Sequence, residues 1–125
     1  MSVAQDWVAL TTSFALASAV YKWNRVKTKF IAITSIPSNG ALHIEPFVID
    51  KTQYLAVASS LNAVTGKPEV NSVIYKMSCE EGKDIFTTLQ SIPTSGATGW
   101  RHFVRGGMHY LAVTHWVPQI ATGSK

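Results

Sequence analysis

The chain repeats itself at an offset of 56 residues. Phe30 to Val57 reads FIAITSIPSNGALHIEPFVIDKTQYLAV, and Phe86 to Val113 reads FTTLQSIPTSGATGWRHFVRGGMHYLAV, with no gap between them. Twelve positions coincide: Phe30/Phe86, Ser35/Ser91, Ile36/Ile92, Pro37/Pro93, Gly40/Gly96, Ala41/Ala97, Phe47/Phe103, Val48/Val104, Tyr54/Tyr110, Leu55/Leu111, Ala56/Ala112 and Val57/Val113. A fixed period of this size marks a repeat architecture, in which one unit cannot bury its apolar face alone and stacks on its neighbour. A fainter echo at offset 54 sets Ser18-Ala19-Val20-Tyr21-Lys22 against Ser72-Val73-Ile74-Tyr75-Lys76. The question of fold becomes what one unit is and how many are present.

Each unit is written in strand residues. Tyr54-Leu55-Ala56-Val57-Ala58 and Tyr110-Leu111-Ala112-Val113-Thr114 are near-continuous apolar runs, as expected of strands covered on both faces. Glu45 to Ile49 and His102 to Arg105 precede them across tight connections. Gly106-Gly107 suits a two-residue hairpin with positive φ, whereas Asp50-Lys51 is a poorer turn and predicts a longer hairpin. Phe30 to Ile36 and Phe86 to Ile92 mix β-branched, aromatic and polar residues in strand fashion. Each runs into Pro and then Gly, which end the ladder and permit a left-handed turn. Val20-Tyr21-Lys22-Trp23 and Ile74-Tyr75-Lys76-Met77 add a fourth short strand per unit. A helix is allowed only in the first fifteen residues, and Ser78–Glu81 reads as a loop. Four-stranded units of about 40–60 residues arranged radially are propeller blades, and a ring closes with about 4–8 of them. The expected fold is all-β: two to two-and-a-half antiparallel four-stranded blades of a β-propeller, with open faces and edges that invite association.

These units resemble the EAR (epitempin-associated) repeat, also called EPTP. Its pattern is an opening aromatic, Gln-x-Ile-x-Thr-x-Gly-Ala, Trp-Glu-x-Phe, a short turn, Tyr-Leu-Ala-Val-Ala and a closing Ile-Tyr-x-Trp strand. Phe86, Gln90, Ile92, Thr94, Gly96-Ala97, Trp100, Phe103 and Tyr110 to Val113 fill it, as do Phe30, Ile36, Gly40-Ala41, Glu45, Phe47 and Tyr54 to Ala58. Val20-Tyr21-Lys22-Trp23 and Ile74-Tyr75-Lys76 match the closing strand. Ile44 stands in place of the tryptophan in the first unit, Arg101 in place of the acidic residue in the second, and Met77 in place of the closing tryptophan. The implied division is a degenerate end of a preceding repeat over 1–19, EAR repeat 1 over 20–73, EAR repeat 2 over 74–117 and a tail over 118–125. A signal peptide is the weaker reading of the first segment: Ala17-Ser18-Ala19 mimics a cleavage site, yet Asp6 and no basic residue precedes the apolar stretch.

The resemblance implies a non-catalytic, extracellular or cell-surface module for protein–protein recognition. Family members carry seven repeats, thought to form a seven-bladed propeller that binds receptors at the cell surface; leucine-rich glioma-inactivated proteins and laminin-G-like proteins bearing EAR repeats are among them. The chain is then expected to be a piece of a larger propeller or to self-associate to close one. A carbohydrate-binding, lectin-like propeller is the alternative, favoured if exposed tryptophans line a pocket between blades.

The residues themselves offer little chemistry. Seven acidic residues, Asp6, Glu45, Asp50, Glu69, Glu80, Glu81 and Asp84, are scattered rather than paired. Gly-x-Ser-x-Gly is absent, and Gly96-Ala97-Thr98-Gly99 lacks the Gly-Lys-Ser/Thr of a phosphate loop. His43, His102, His109 and His115 invite a metal reading, but nothing in their spacing pins three rings together. No catalytic, cofactor or metal residue is therefore assigned. Cys79 is the single cysteine, which excludes an internal disulfide. A net charge of +4 with Lys22, Arg25, Lys27 and Lys29 grouped in one loop is no nucleic-acid face, and no apolar run reaches the ~18 residues of a membrane span. Aromatics recurring at equivalent positions, Tyr21/Tyr75 and Tyr54/Tyr110, read as packing residues. Positions that differ between units are the better surface candidates: Ser38-Asn39, His43, Thr52-Gln53, Arg101-His102 and Met108-His109. The binding residues stay unassigned.

Overall fold

Tight hairpins set the registers. Asp50-Lys51, Glu81-Gly82 and Gly106-Gly107 place both central residues at positive φ, 50° and 69°, 53° and 77°, 59° and 77°, the geometry of two-residue turns whose twist matches that of the strands they join. The computed structural model describes residues 7–10, by backbone, and 17–116. Its strands are β1 (Trp7–Leu10), β2 (Ala17–Asn24), β3 (Lys29–Pro37), β4 (Ala41–Ile49), β5 (Thr52–Ser59), β6 (Glu69–Glu80), β7 (Lys83–Ser95), β8 (Ala97–Arg105) and β9 (Met108–His115).

All pairing is antiparallel, in three sheets: β1-β2-β3, β4-β5-β6-β7 and β8-β9. The central sheet is one complete four-stranded blade. By the internal repeat, β2 and β3 correspond to β6 and β7, and β8 and β9 correspond to β4 and β5. The irregularities correspond too: the ladder slips between Val20/Tyr21 and again between Ile74/Tyr75, and between Ala41/His43 and again between Ala97/Gly99. The fold is thus all-β, and among the described residues its nine strands amount to slightly more than two blades.

Three local expectations change. The Asp50-Lys51 connection is as short as its glycine counterpart, because Ile49 and Thr52 are direct partners; the ladder leaves two residues for the turn, so two non-glycine residues take left-handed backbone. Ser78–Glu81 is not a loop: β6 continues to Glu80, with Cys79 exposed opposite Asp84. The β6–β7 hairpin is longer than its β2–β3 counterpart, where Asn24 pairs with Lys29. Trp7–Leu10 is a strand, not a helix, paired with Lys22 to Ala19. The other early residues and the 118–125 tail lie outside the described residues.

The core is two seams between sheets. Val20 and Ile36 of the first sheet meet Ala41, Leu55, Val57 and Tyr75 of the central one. Phe47, Ala56, Ala58 and Ile74 on its opposite face meet Ala97 and Trp100 of the third. Along β5 successive side chains point to opposite faces, so Leu55 and Val57 serve one seam and Ala56 and Ala58 the other, all 0–1% exposed. Repeat-equivalent residues build both seams: Val20/Ile74, Ile36/Ile92, Ala41/Ala97, Ile44/Trp100, Leu55/Leu111 and Val57/Val113.

Candidate interaction surface

Most of the residues that differ between units turn out to hold the blades together. Ser38 bonds Ser18 hydroxyl to hydroxyl at 2.9 Å, as Thr94 bonds Ser72 at 2.7 Å in the next unit. The Asn39 carboxamide oxygen accepts the Ala63 N–H at 2.6 Å. Gln53 is 5% exposed and donates to the Phe47 and Tyr54 carbonyls. These buried or half-buried side chains find partners, save for the Gln53 Oε1, which has none among the described residues, and Gln53 is no surface residue.

His43 belongs to the seam between β4 and β8. The Trp100 N–H donates to its Nδ1 at 3.3 Å, and two residues on, the His102 N–H donates to the Glu45 carboxylate at 3.0 Å. Two side chains of β4 thus satisfy the outward backbone edge of β8, in place of a strand. The His102 ring stacks on Phe47, with centroids 4.8 Å apart, and its Nε2 lies 3.0 Å from Nδ1 of His109. Partial burial lowers the His102 pKa; the neighbouring His109 lowers it further, and Glu45 pulls it back. His102 therefore sits between the sheets while keeping part of its ring exposed. Among the described residues no group of three or more His, Cys, Asp or Glu is arranged to hold a metal.

The outer face of the third sheet has a different character. Phe103 and Tyr110 stack at 5.1 Å, repeating the Phe47–Tyr54 stack at 5.3 Å. Phe47 is 6% exposed beneath the third sheet, while Phe103 is 46% exposed and Tyr110 45%. Alternation along the strands puts exposed Arg101 and Arg105 beside Phe103, and exposed Met108 and Ala112 beside Tyr110. Aromatics, arginine and methionine are the residues enriched where proteins meet. Arg101 and Met108 are surface candidates by their difference between units, whereas Phe103 and Tyr110 are not legible as exposed, because their counterparts are buried Phe47 and partly buried Tyr54.

Beside this face runs a cleft of about 250 Å³, lined by Ile74, Gln90 and Ile92 of the central sheet and by His102, His109 and Leu111 of the third, among others. It lies where the third sheet shows two strands among the described residues while the central sheet continues to four. Trp100 lines it but is only 5% exposed, and its indole N–H finds no acceptor among the described residues; it offers little ring face to a sugar. A second hollow, about 510 Å³, lies between the first and central sheets and is bridged by Lys22–Asp84 at 3.2 Å. The basic group at 22–29 is the β2–β3 turn, where the Asn24 side chain accepts the Val26 and Lys27 N–H groups.

Residues 29–76 and 85–115 match the EPTP domain family. The chain is 35% identical over 98 residues, 78% of its length, to the "Thrombospondin-type laminin G domain and EAR repeat-containing protein" of Homo sapiens, and 32% identical over 103 residues, 82% of its length, to the protein of that name in Mus musculus. It spans 14–15% of the length of these curated relatives. With both repeat copies matched, and with blades built alike around them, the chain belongs to the EPTP, or EAR-repeat, family.

Proposed function

We propose that this chain is a non-catalytic protein-interaction module of a larger propeller, working outside the cell or at its surface, with a cell-surface receptor protein as its partner and self-association as a second use of the same surfaces. The observation that carries this reading is the uncovered aromatic and arginine-bearing face of the third sheet, the exposed duplicate of a face that is core in the central sheet. The family and the domain types named in its relatives support the extracellular setting. The chemistry is passive: rigid blades present side chains, and binding stabilises by burying them.

The test is binding of the labelled chain to intact cells. Saturable binding that is lost after surface proteolysis and weakened at least tenfold in Phe103→Ala/Tyr110→Ala supports the reading. Binding that survives proteolysis but is blocked by free sugar or glycosidase replaces it with the carbohydrate-binding alternative. Absence of saturable binding removes it.

A further inference from the structure

We propose that the β8–β9 hairpin of one copy completes the first sheet of a second copy, pairing β9 with β2 of that copy and taking the place of its β1. This deepens the self-association above and rests on it. The central blade supplies the template. There β5 pairs with β6 in the register Tyr54↔Lys76, Leu55↔Tyr75, Ala56↔Ile74 and Val57↔Val73. By the repeat, β9 is another β5 and β2 another β6, which sets Tyr110 opposite Lys22, Leu111 opposite Tyr21, Ala112 opposite Val20 and Val113 opposite Ala19. The outer edge of β9 carries no strand among the described residues. The edge of β2 that would receive it is held by β1, in the same register: Trp7↔Lys22, Val8↔Tyr21, Ala9↔Val20 and Leu10↔Ala19. Trp7-Val8-Ala9-Leu10 is thus a third version of Tyr-Leu-Ala-Val, and the described residues hold three such strands for two receiving edges.

Three further features favour the exchange. β1 gives the first sheet three strands, whereas β8–β9 in its place gives four and fills the innermost position that β4 occupies in the central blade. The incoming β2–β3 pair fills the cleft between Ile92 and His109, and Tyr21 takes the place of Tyr75, whose hydroxyl donates to the Pro37 carbonyl; the equivalent acceptor is Pro93. Finally, the new β8–β4 seam is chemically matched. Within the chain, Glu45 of β4 accepts the His102 N–H of β8. In the seam between copies, Arg101 stands for Glu45 and Pro46 stands for His102. The side chain that cannot accept faces the residue that has no N–H.

Each copy then contributes eight strands, or two blades. Two, three or four copies close rings of four, six or eight blades, within the ~4–8 that propellers use. The mass of the full chain by light scattering, at tens to hundreds of micromolar, is expected at two to four times 13.6 kDa. In a Cys79→Ser background, a mixture of Lys22→Cys chains and Tyr110→Cys chains is expected to form mixed disulfide dimers under mild oxidation, since directly opposed strand residues are within disulfide reach. Lys22→Cys with His115→Cys, about 17 Å further along the strand, is expected to form none. Tyr21→Phe is expected to weaken association about threefold to tenfold, the loss of one hydrogen bond. A multiple mass without the Lys22–Tyr110 cross-link overturns the strand assignment and leaves the protein-binding reading standing. A single-chain mass with no cross-link overturns the self-association itself, and the cell-binding measurement then judges the receptor reading separately.

Discussion

At the scale of single residues, Gly40 and Gly96 matter more than any charged side chain. Both sit at positive φ, 64° and 65°, and both are crossed by the chain leaving the second strand of their unit. The Ser60 N–H donates to the Gly40 carbonyl at 2.9 Å, and the Trp116 N–H to the Gly96 carbonyl at 2.6 Å. A Cβ at Gly40 would lie 1.9 Å from the Leu61 carbonyl oxygen, and one at Gly96 1.7 Å from that of Trp116. Gly96→Ala is therefore expected to cost about 3 kcal/mol or more in urea unfolding, through clash added to left-handed strain. Gly82→Ala, with open space around it, is expected to cost only about 1–2 kcal/mol. His102 provides the pH dependence. Its folded-state pKa lies below the ordinary value of 6.5, so the unfolded chain binds the proton more readily. The contribution of His102 is complete above that value and is lost as pH falls through it toward the lowered folded-state pKa. Unfolding free energy is expected to decline from pH 7 to pH 5, and His102→Gln to flatten that decline.

Among elements, the hairpins and the third sheet carry the sharpest expectations. Asp50 and Lys51 occupy left-handed backbone that glycine adopts without cost. Lys51→Gly is expected to raise stability by about 0.5–1 kcal/mol, read from the urea midpoint at unchanged slope; a loss would contradict the two-residue turn. Among the described residues the third sheet has two strands, and a lone hairpin is marginal in water. It is held by Trp100 against Phe47 and against Ala56 and Ala58, two small residues that let the indole lie close. Trp100→Ala is expected to cost about 3–5 kcal/mol and to strip hydrogen-exchange protection from β8–β9 while β6 keeps its own. The legible part of the fold lies here: strand periodicity and Gly106-Gly107 predicted β4, β5, β8 and β9, because side-chain alternation and turn chemistry are local. The length of β6 was not legible, since Ser78 to Glu81 is polar and its ladder is set by pairing with Lys83 to Ile85.

For the whole molecule, stacking decides what is surface. Covering the exposed Phe103 and Tyr110 face with a second copy would stabilise the fold, so the unfolding temperature is expected to rise with protein concentration, by several degrees per tenfold between about 5 and 500 µM. Phe103→Glu is expected to abolish the rise by placing a charge in the seam. A concentration-independent midpoint would mean the end faces stay open.

The unit is readable from the amino-acid order alone: the repeat, its four strands, the proline and glycine that end them, and the family that shares them. Each of these is written in local terms, as side-chain period, β-branching and backbone freedom. Which of two repeat-equivalent residues is core depends on the stack. Phe47 and Phe103 hold the same place in the repeat, each followed by valine, but a third sheet lies over the first and, among the described residues, none over the second. The tertiary structure also decided that Ser38, Asn39, His43 and Gln53 serve the fold, since hydrogen bonds such as Ser38–Ser18, Asn39–Ala63 and His43–Trp100 span 20 to 57 residues. Burial and polar pairing belong to the stack, and a single unit read alone contains no record of its neighbours.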